Sequence, residues 1–219
     1  MIPLYDTARS RRVPLVNWLL IGLNVLVFLY EIRLGPSALD RLTATWGLVP
    51  TRLMAHPATA WIAILTSMFL HGGWFHILSN MWVLFIFGDN VEDRMGGGRY
   101  LTFYLLSGAA AAVLQSFLMR GSQEPMIGAS GAIAGVLGAY LILYPRARVA
   151  SLVPIFFIFT VIEIPATIFL LFWFVSQLFS GWLTLGGASG SGVAWWAHVG
   201  GFVFGMLTVQ AFARRAAYY

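Results

Sequence analysis

Apolar residues run along this chain in long stretches, and nearly all the charge is confined to the short segments between them. Stretches at residues 16–30, 64–87, 100–119, 130–144, 162–180 and 193–213 have the character of bilayer helices, which need about 20 residues at 1.5 Å each to cross roughly 30 Å of hydrocarbon. The pattern predicts an all-α polytopic bundle of six transmembrane helices, with residues 1–219 as a single membrane domain. An even number of spans returns both termini to one side. Placing that side in the cytoplasm gathers Arg9, Arg11, Arg12, Arg94, Arg99, Arg146, Arg148, Arg214 and Arg215 there, against Arg33, Arg41, Arg52 and Arg120 outside. That bias sets the orientation. A short cytoplasmic tail then covers about 1–13.

Two connections depart from the simple pattern. Residues 33–63 carry Trp46, Leu48, Val49, Leu53, Met54 and Trp61, too apolar for a solvated loop, so an interfacial segment partly sunk in the membrane is expected. Residues 150–180 are too long for one upright helix, and the part from Pro154 to Thr160 is expected to skim or enter from the cytoplasmic face. Residues 183–192, LTLGGASGSG, read as a flexible outer link between the fifth and sixth spans, a candidate mobile cap.

Composition agrees: 59% of residues are hydrophobic and 10% charged, with mean hydropathy +0.81. The chain has no cysteine, which excludes disulfides, thiolate catalysis and cysteine metal sites. Arg9, Arg11 and Arg12 before an apolar run would suit a signal peptide, but no small-residue cleavage site follows, so the first segment is kept as a helix.

The chemistry concentrates at residues 126–140, MIGASGAIAGVLGAY. Gly131, Gly135 and Gly138 share one helical face, and small residues let membrane helices approach closely. Ser130 stands at the start of that helix, about 8 Å below the outer surface by helix rise, beside free backbone N–H groups at Ala129, Ser130 and Gly131. A serine hydroxyl beside unpaired amides is the layout of an acyl-transfer site. A small residue at a helix contact is the competing reading. His198, in AWWAHVGGFVFG, sits at a matching depth on a helix whose Ala197, Gly201 and Gly205 form a second small face. Packing the two faces brings Ser130 and His198 within reach, so that His198 can act as base; an inert buried histidine is the alternative. HGGWFHILSN supplies His71, His76 and Asn80. His76 and Asn80 lie four apart on one face, where both can donate hydrogen bonds toward Ser130. Two histidines five apart with an asparagine make a poor zinc site, and HExxH does not occur; no metal or cofactor is expected. His56 reads as a surface residue.

HGGWFHILSNM, GASGAIAG and AWWAHVGG, in that order and on those spans, resemble the three motifs of the rhomboid intramembrane serine proteases. WGLVP in the first loop and EIPA at the fifth span resemble bacterial members. The resemblance covers about residues 14–213 and is to the basic six-helix form. It implies Ser130 as nucleophile and His198 as general base, a dyad without a carboxylate. It implies an oxyanion site made by His76, Asn80 and the backbone at Ala129 and Ser130, with His71 lining a polar cavity. Two departures stand out: the first loop lacks the family's Trp-Arg pair, and position 134 is Ala where some members place an aromatic under the base. The implied function is an intramembrane endopeptidase that cuts transmembrane segments of single-span or polytopic membrane proteins near their outer ends. Its partners are those substrates and the lipid bilayer, with no nucleic acid, and its location is the cell (inner) membrane of a prokaryote. A catalytically silent relative that binds membrane clients is the alternative. In the fifth span, Phe172, Trp173, Phe174 and Phe179 form either a side gate or a lipid-facing aromatic belt.

Overall fold

A computed structural model describes residues 1–155, 158–185 and 192–214. The chain opens with strand β1 (Ile2–Asp6) and helix α1 (Leu15–Glu31). Four short helices follow: α2 (Pro36–Trp46), α3 (Pro50–Ala55), α4 (Pro57–Ala60) and α5 (Ile62–Thr66). Then come α6 (Trp74–Met95), α7 (Gly97–Leu118) and α8 (Ser130–Leu143). Strands β2 (Arg148–Ile155) and β3 (Ile158–Pro165) precede α9 (Ala166–Leu185) and α10 (Trp195–Phe212).

The sheet corrects the all-α expectation. β1, β2 and β3 pair in that order, both ladders antiparallel, with Asp6 opposite Val149 and Val149 opposite Ile164. The run IFTVIEIP is rich in β-branched and aromatic residues, which suit a pleated surface better than a helix, and Pro165 ends it. Arg148–Ile155 and Ile158–Pro165 therefore pair as strands in place of the expected skimming segment, residues 156–157 lying outside the described residues, and the fifth helix starts at Ala166. The tail is also tied down as β1: Trp82 Nε1 donates to the Pro3 carbonyl at 2.7 Å. Asp6 accepts from Asn90 Nδ2 at 3.1 Å and from the Tyr140 hydroxyl.

The second span is shorter at its outer end than the hydropathy suggests. The segment Pro57–Phe69 is bent 83° against α6, which begins at Trp74 and runs on to Met95. The break falls at Leu70–Gly73, where Gly73 takes φ 149°. Residues 33–63 hold three of the four short helices and the start of the fourth; Pro36, Pro50 and Pro57 open α2, α3 and α4, as suits a residue with no N–H to leave unpaired. The WGLVP loop is anchored without a Trp-Arg pair. Leu48 and Met126 exchange backbone hydrogen bonds of 3.0 and 2.8 Å, and Thr66 Oγ1 donates to the Trp46 carbonyl at 2.7 Å.

Helix α8 is buried from Gly131 to Leu141 and is the axis of the bundle. Asn17, Ser107 and Ser116 are buried, whereas Leu19, Leu26, Leu78, Phe85 and Phe172 point outward. An apolar exterior over a partly polar interior fits lipid as solvent. Among the described residues, α7 and α9 are by themselves long and apolar enough to cross a membrane, and the bent pair Pro57–Phe69 with Trp74–Met95 makes a third.

Glycines set the spacing of α8 and α10. A side chain on Gly201 would run into the Gly131 carbonyl, and one on Gly205 into that of Gly135. The two backbones therefore touch, as the small faces in the sequence require.

Candidate active site

Ser130 is placed by the segment that leads into α8. The Leu48–Met126 bridge fixes one end of it, and Gly128 N donates to the Ser67 carbonyl at 2.8 Å. Gly128 takes φ +120°, and a Cβ there would lie 2.6 Å from His76 Nε2, so only glycine fits. Ala129 is the N-cap and Ser130 the first residue of the helix. The first N–H groups of any helix have no acceptor within it.

His198 comes from the facing helix. Its first turn is held by Ala197 N, which donates to Gln115 Oε1 of α7 at 3.1 Å. With α8 and α10 in glycine contact, His198 Nε2 lies 2.8 Å from Ser130 Oγ. The other ring nitrogen, Nδ1, lies 2.8 Å from Gln177 Oε1 on α9. The Trp173 ring packs 5.8 Å from the imidazole at 33°, and Trp195 meets it edge-on at 6.1 Å. The aromatic missing at Ala134 is thus supplied from α9 by Trp173. Neither Gln177 nor the role of Trp173 was read from the sequence. The signal was present in Gln177, an amide within the apolar run FLLFWFVSQLFSG and four residues beyond Trp173 on one helical face. The fifth-span aromatics divide: Trp173 and Phe174 face α10, Phe174 stacking on Phe202 at 4.6 Å, while Phe172 and Phe179 face outward.

A cavity of about 420 Å³ opens above the pair, lined by Ser130, His198, His76, Asn80 and Gly128. Asn80 is 7% exposed, and its Nδ2 has no hydrogen-bond partner, which leaves a buried donor beside the cavity. His76 Nδ1 accepts from Gly72 N at 3.3 Å. His71 lies beside this cavity's His76 and is not among the residues that line it. Its backbone N–H donates to both Glu31 carboxylate oxygens at 3.2 Å, which draws the residue beneath the bend, where its ring packs edge-on against His76 at 5.1 Å. Glu31, unremarked in the sequence, is the buried anchor of that bend. His56 is exposed. No group of three potential metal ligands gathers among the described residues. The candidate cap at 183–192 includes Gly186, Gly187 and Gly190, which lie outside the described residues; Gly192 and Val193 border the cavity.

A hydroxyl bonded to an imidazole, beside amide donors in a partly enclosed cavity, can carry out nucleophilic acyl transfer.

The chain is similar to a known protein family. The family model described as Rhomboid domain matches residues 58–215. The chain is 38% identical over 129 residues to Rhomboid protease GluP of Bacillus subtilis (strain 168), covering 58% of this chain and 24% of that protein. It is 35% identical over 108 residues to RHOMBOID-like protein 1 of Arabidopsis thaliana, covering 49% and 26%. Against Rhomboid protein 1, mitochondrial, of Saccharomyces cerevisiae (strain ATCC 204508 / S288c), identity is 28% over 136 residues, covering 59% and 37%. The chain thus spans well under half the length of these relatives.

Proposed function

The chain belongs to the rhomboid family, a family of integral membrane proteins, and from that premise we propose that it is an intramembrane serine endopeptidase. Its substrates are transmembrane segments of other membrane proteins. The observation that carries the reading is the 2.8 Å pair of Ser130 Oγ and His198 Nε2, set beside a cavity that holds the unpaired amide of Asn80.

In this reading six helices cross the bilayer, α1, α6, α7, α8, α9 and α10, with both termini and the β-sheet on the cytoplasmic side of a prokaryotic cell membrane. Ser130 then lies about 8 Å below the outer surface, by helix rise. His198 takes the Ser130 proton as the oxygen attacks the scissile carbonyl. Negative charge moves to the carbonyl oxygen, where Asn80, His76 and the backbone N–H groups at Ala129 and Ser130 meet it. His198 then gives its proton to the leaving amine, and the acyl group stays on Ser130 Oγ. A water enters through the cavity and attacks the acyl carbon while losing a proton to His198; the bond to Ser130 Oγ then breaks, His198 returns that proton to Oγ, and the acid leaves. Because an intact helix hides its carbonyls, substrates with small or helix-weakening residues near the cut are favoured.

Fluorophosphonate labelling tests the proposal. The reagent should modify Ser130 alone in the purified protein in lipid, with Ser130→Ala inert. A protein that captures membrane clients but is not labelled would be the silent binding relative.

A further inference from the structure

We infer that Gln177 is a positioning residue for the base: its side-chain amide holds His198 in the tautomer that leaves Nε2 free to take the Ser130 proton. The inference rests on the proteolytic reading and adds a third member to its dyad. Gln177 is buried in α9, at 6% exposure, with Oε1 2.8 Å from His198 Nδ1. Which end of the amide faces the ring follows from its other contacts. Gln177 Nε2 lies 3.2 Å from the Trp173 carbonyl and 2.9 Å from Ser176 Oγ, whose own hydrogen points to that same carbonyl at 2.5 Å. A carbonyl oxygen only accepts, so the amide atom beside it must be the nitrogen, and the oxygen must face the imidazole.

An oxygen opposite Nδ1 requires a hydrogen on Nδ1. A neutral imidazole carries one N–H, so Nε2 is left with its lone pair directed at Ser130. In a serine triad a buried carboxylate performs this orientation. Here an amide does so without placing a charge within an apolar span, where a carboxylate is expensive. Trp173, one turn away on the same face, packs on the same imidazole. The nucleophile thus comes from α8, the base from α10, and the base's tautomer from α9.

Nitrogen-15 NMR of histidine-labelled protein in micelles reads the tautomer directly, with the His198 signals identified by their loss in His198→Ala. The wild type should show Nδ1–H. Gln177→Met, similar in length but without an acceptor, should give a mixture of tautomers and lower kcat by about 10- to 100-fold at unchanged KM. That is less than the roughly 10⁴-fold loss when a triad's orienting residue is replaced by one that enforces the wrong tautomer, since methionine enforces neither. Gln177→Glu, which restores an acceptor oxygen, should recover most of kcat. Wild-type kcat and a retained Nδ1–H in Gln177→Met would overturn the inference. So would equal losses in both variants that follow a falling melting temperature, the mark of a packing residue. A wild type with the Nδ1–H signal but no cleavage of any membrane substrate would overturn the proteolytic reading and leave the tautomer assignment supported, so the two fail separately.

Discussion

Gly201 on α10 rests directly against the carbonyl of Gly131 on α8, with no room for a Cβ between them. Ser130 is the residue before Gly131, and His198 lies three residues before Gly201, so this contact sets the reach of the proposed nucleophile and base. Gly138 makes the same kind of contact with the Phe202 carbonyl further down. Gly201→Val should force the helices apart, at about 1–3 kcal/mol for overpacking. The expected outcome is a melting temperature lower by several degrees and loss of fluorophosphonate labelling. Gly22→Ala, where nothing lies within 4 Å, is the control and should change neither.

Asn80 Nδ2 is buried without a partner, and an oxyanion would supply one only as the reaction proceeds. Asn80→Ala should therefore lower kcat by about 100-fold or more while KM changes little, and His76→Ala should act in the same direction. Steady-state kinetics on a transmembrane substrate checks this. A rise in KM at constant kcat in both variants would make them substrate-binding residues instead.

Asp6 gives a pH dependence outside the membrane helices. Burial pushes its carboxyl up from 3.8 to about 6, and the hydrogen bonds from Tyr140 and Asn90 offset only part of that. The folded form therefore holds this proton more tightly than the unfolded chain does. The group's contribution is full below 3.8 and is lost as pH rises through about 6. The melting temperature should fall by about 2–5 °C across that window. The fall should be smaller in Asp6→Asn, which cannot ionise; equal falls in both would remove Asp6 as the cause.

Fixing the outer end of α9 tests how substrates enter. Gly181 abuts the Trp196 indole, and the chain has no cysteine of its own, so Gly181→Cys with Trp196→Cys gives one defined thiol pair between α9 and α10. Bridging it with a short bifunctional reagent should slow cleavage of a transmembrane substrate by at least about 10-fold but leave labelling by a small fluorophosphonate unchanged. Unchanged cleavage would mean that α9 need not move to admit substrate.

The candidate site was legible in the sequence where the cause is local. Ser130, His198, His76 and Asn80 were placed together by helix periodicity and by glycine faces, and the structure brings all four to one cavity. What escaped depends on contacts between segments far apart in the chain. Gln177 meets His198 across 21 positions, and Glu31 meets His71 across 40. The sheet escaped because an apolar run of β-branched and aromatic residues reads alike as strand or helix. Only the pairing of β1 with β2, nearly 150 residues apart, decides it.

The central claim is that Ser130 and His198 act as one hydrolytic unit, and turnover of a single-span substrate reconstituted with the enzyme in liposomes tests it most directly. Ser130→Ala and His198→Ala should each lose roughly 10⁴-fold or more, and the double variant should lose no more than either alone, because removing one member already disables the pair. Both should keep the wild-type melting temperature to within a few degrees. Cleavage by either variant at more than about a hundredth of the wild-type rate would contradict the account.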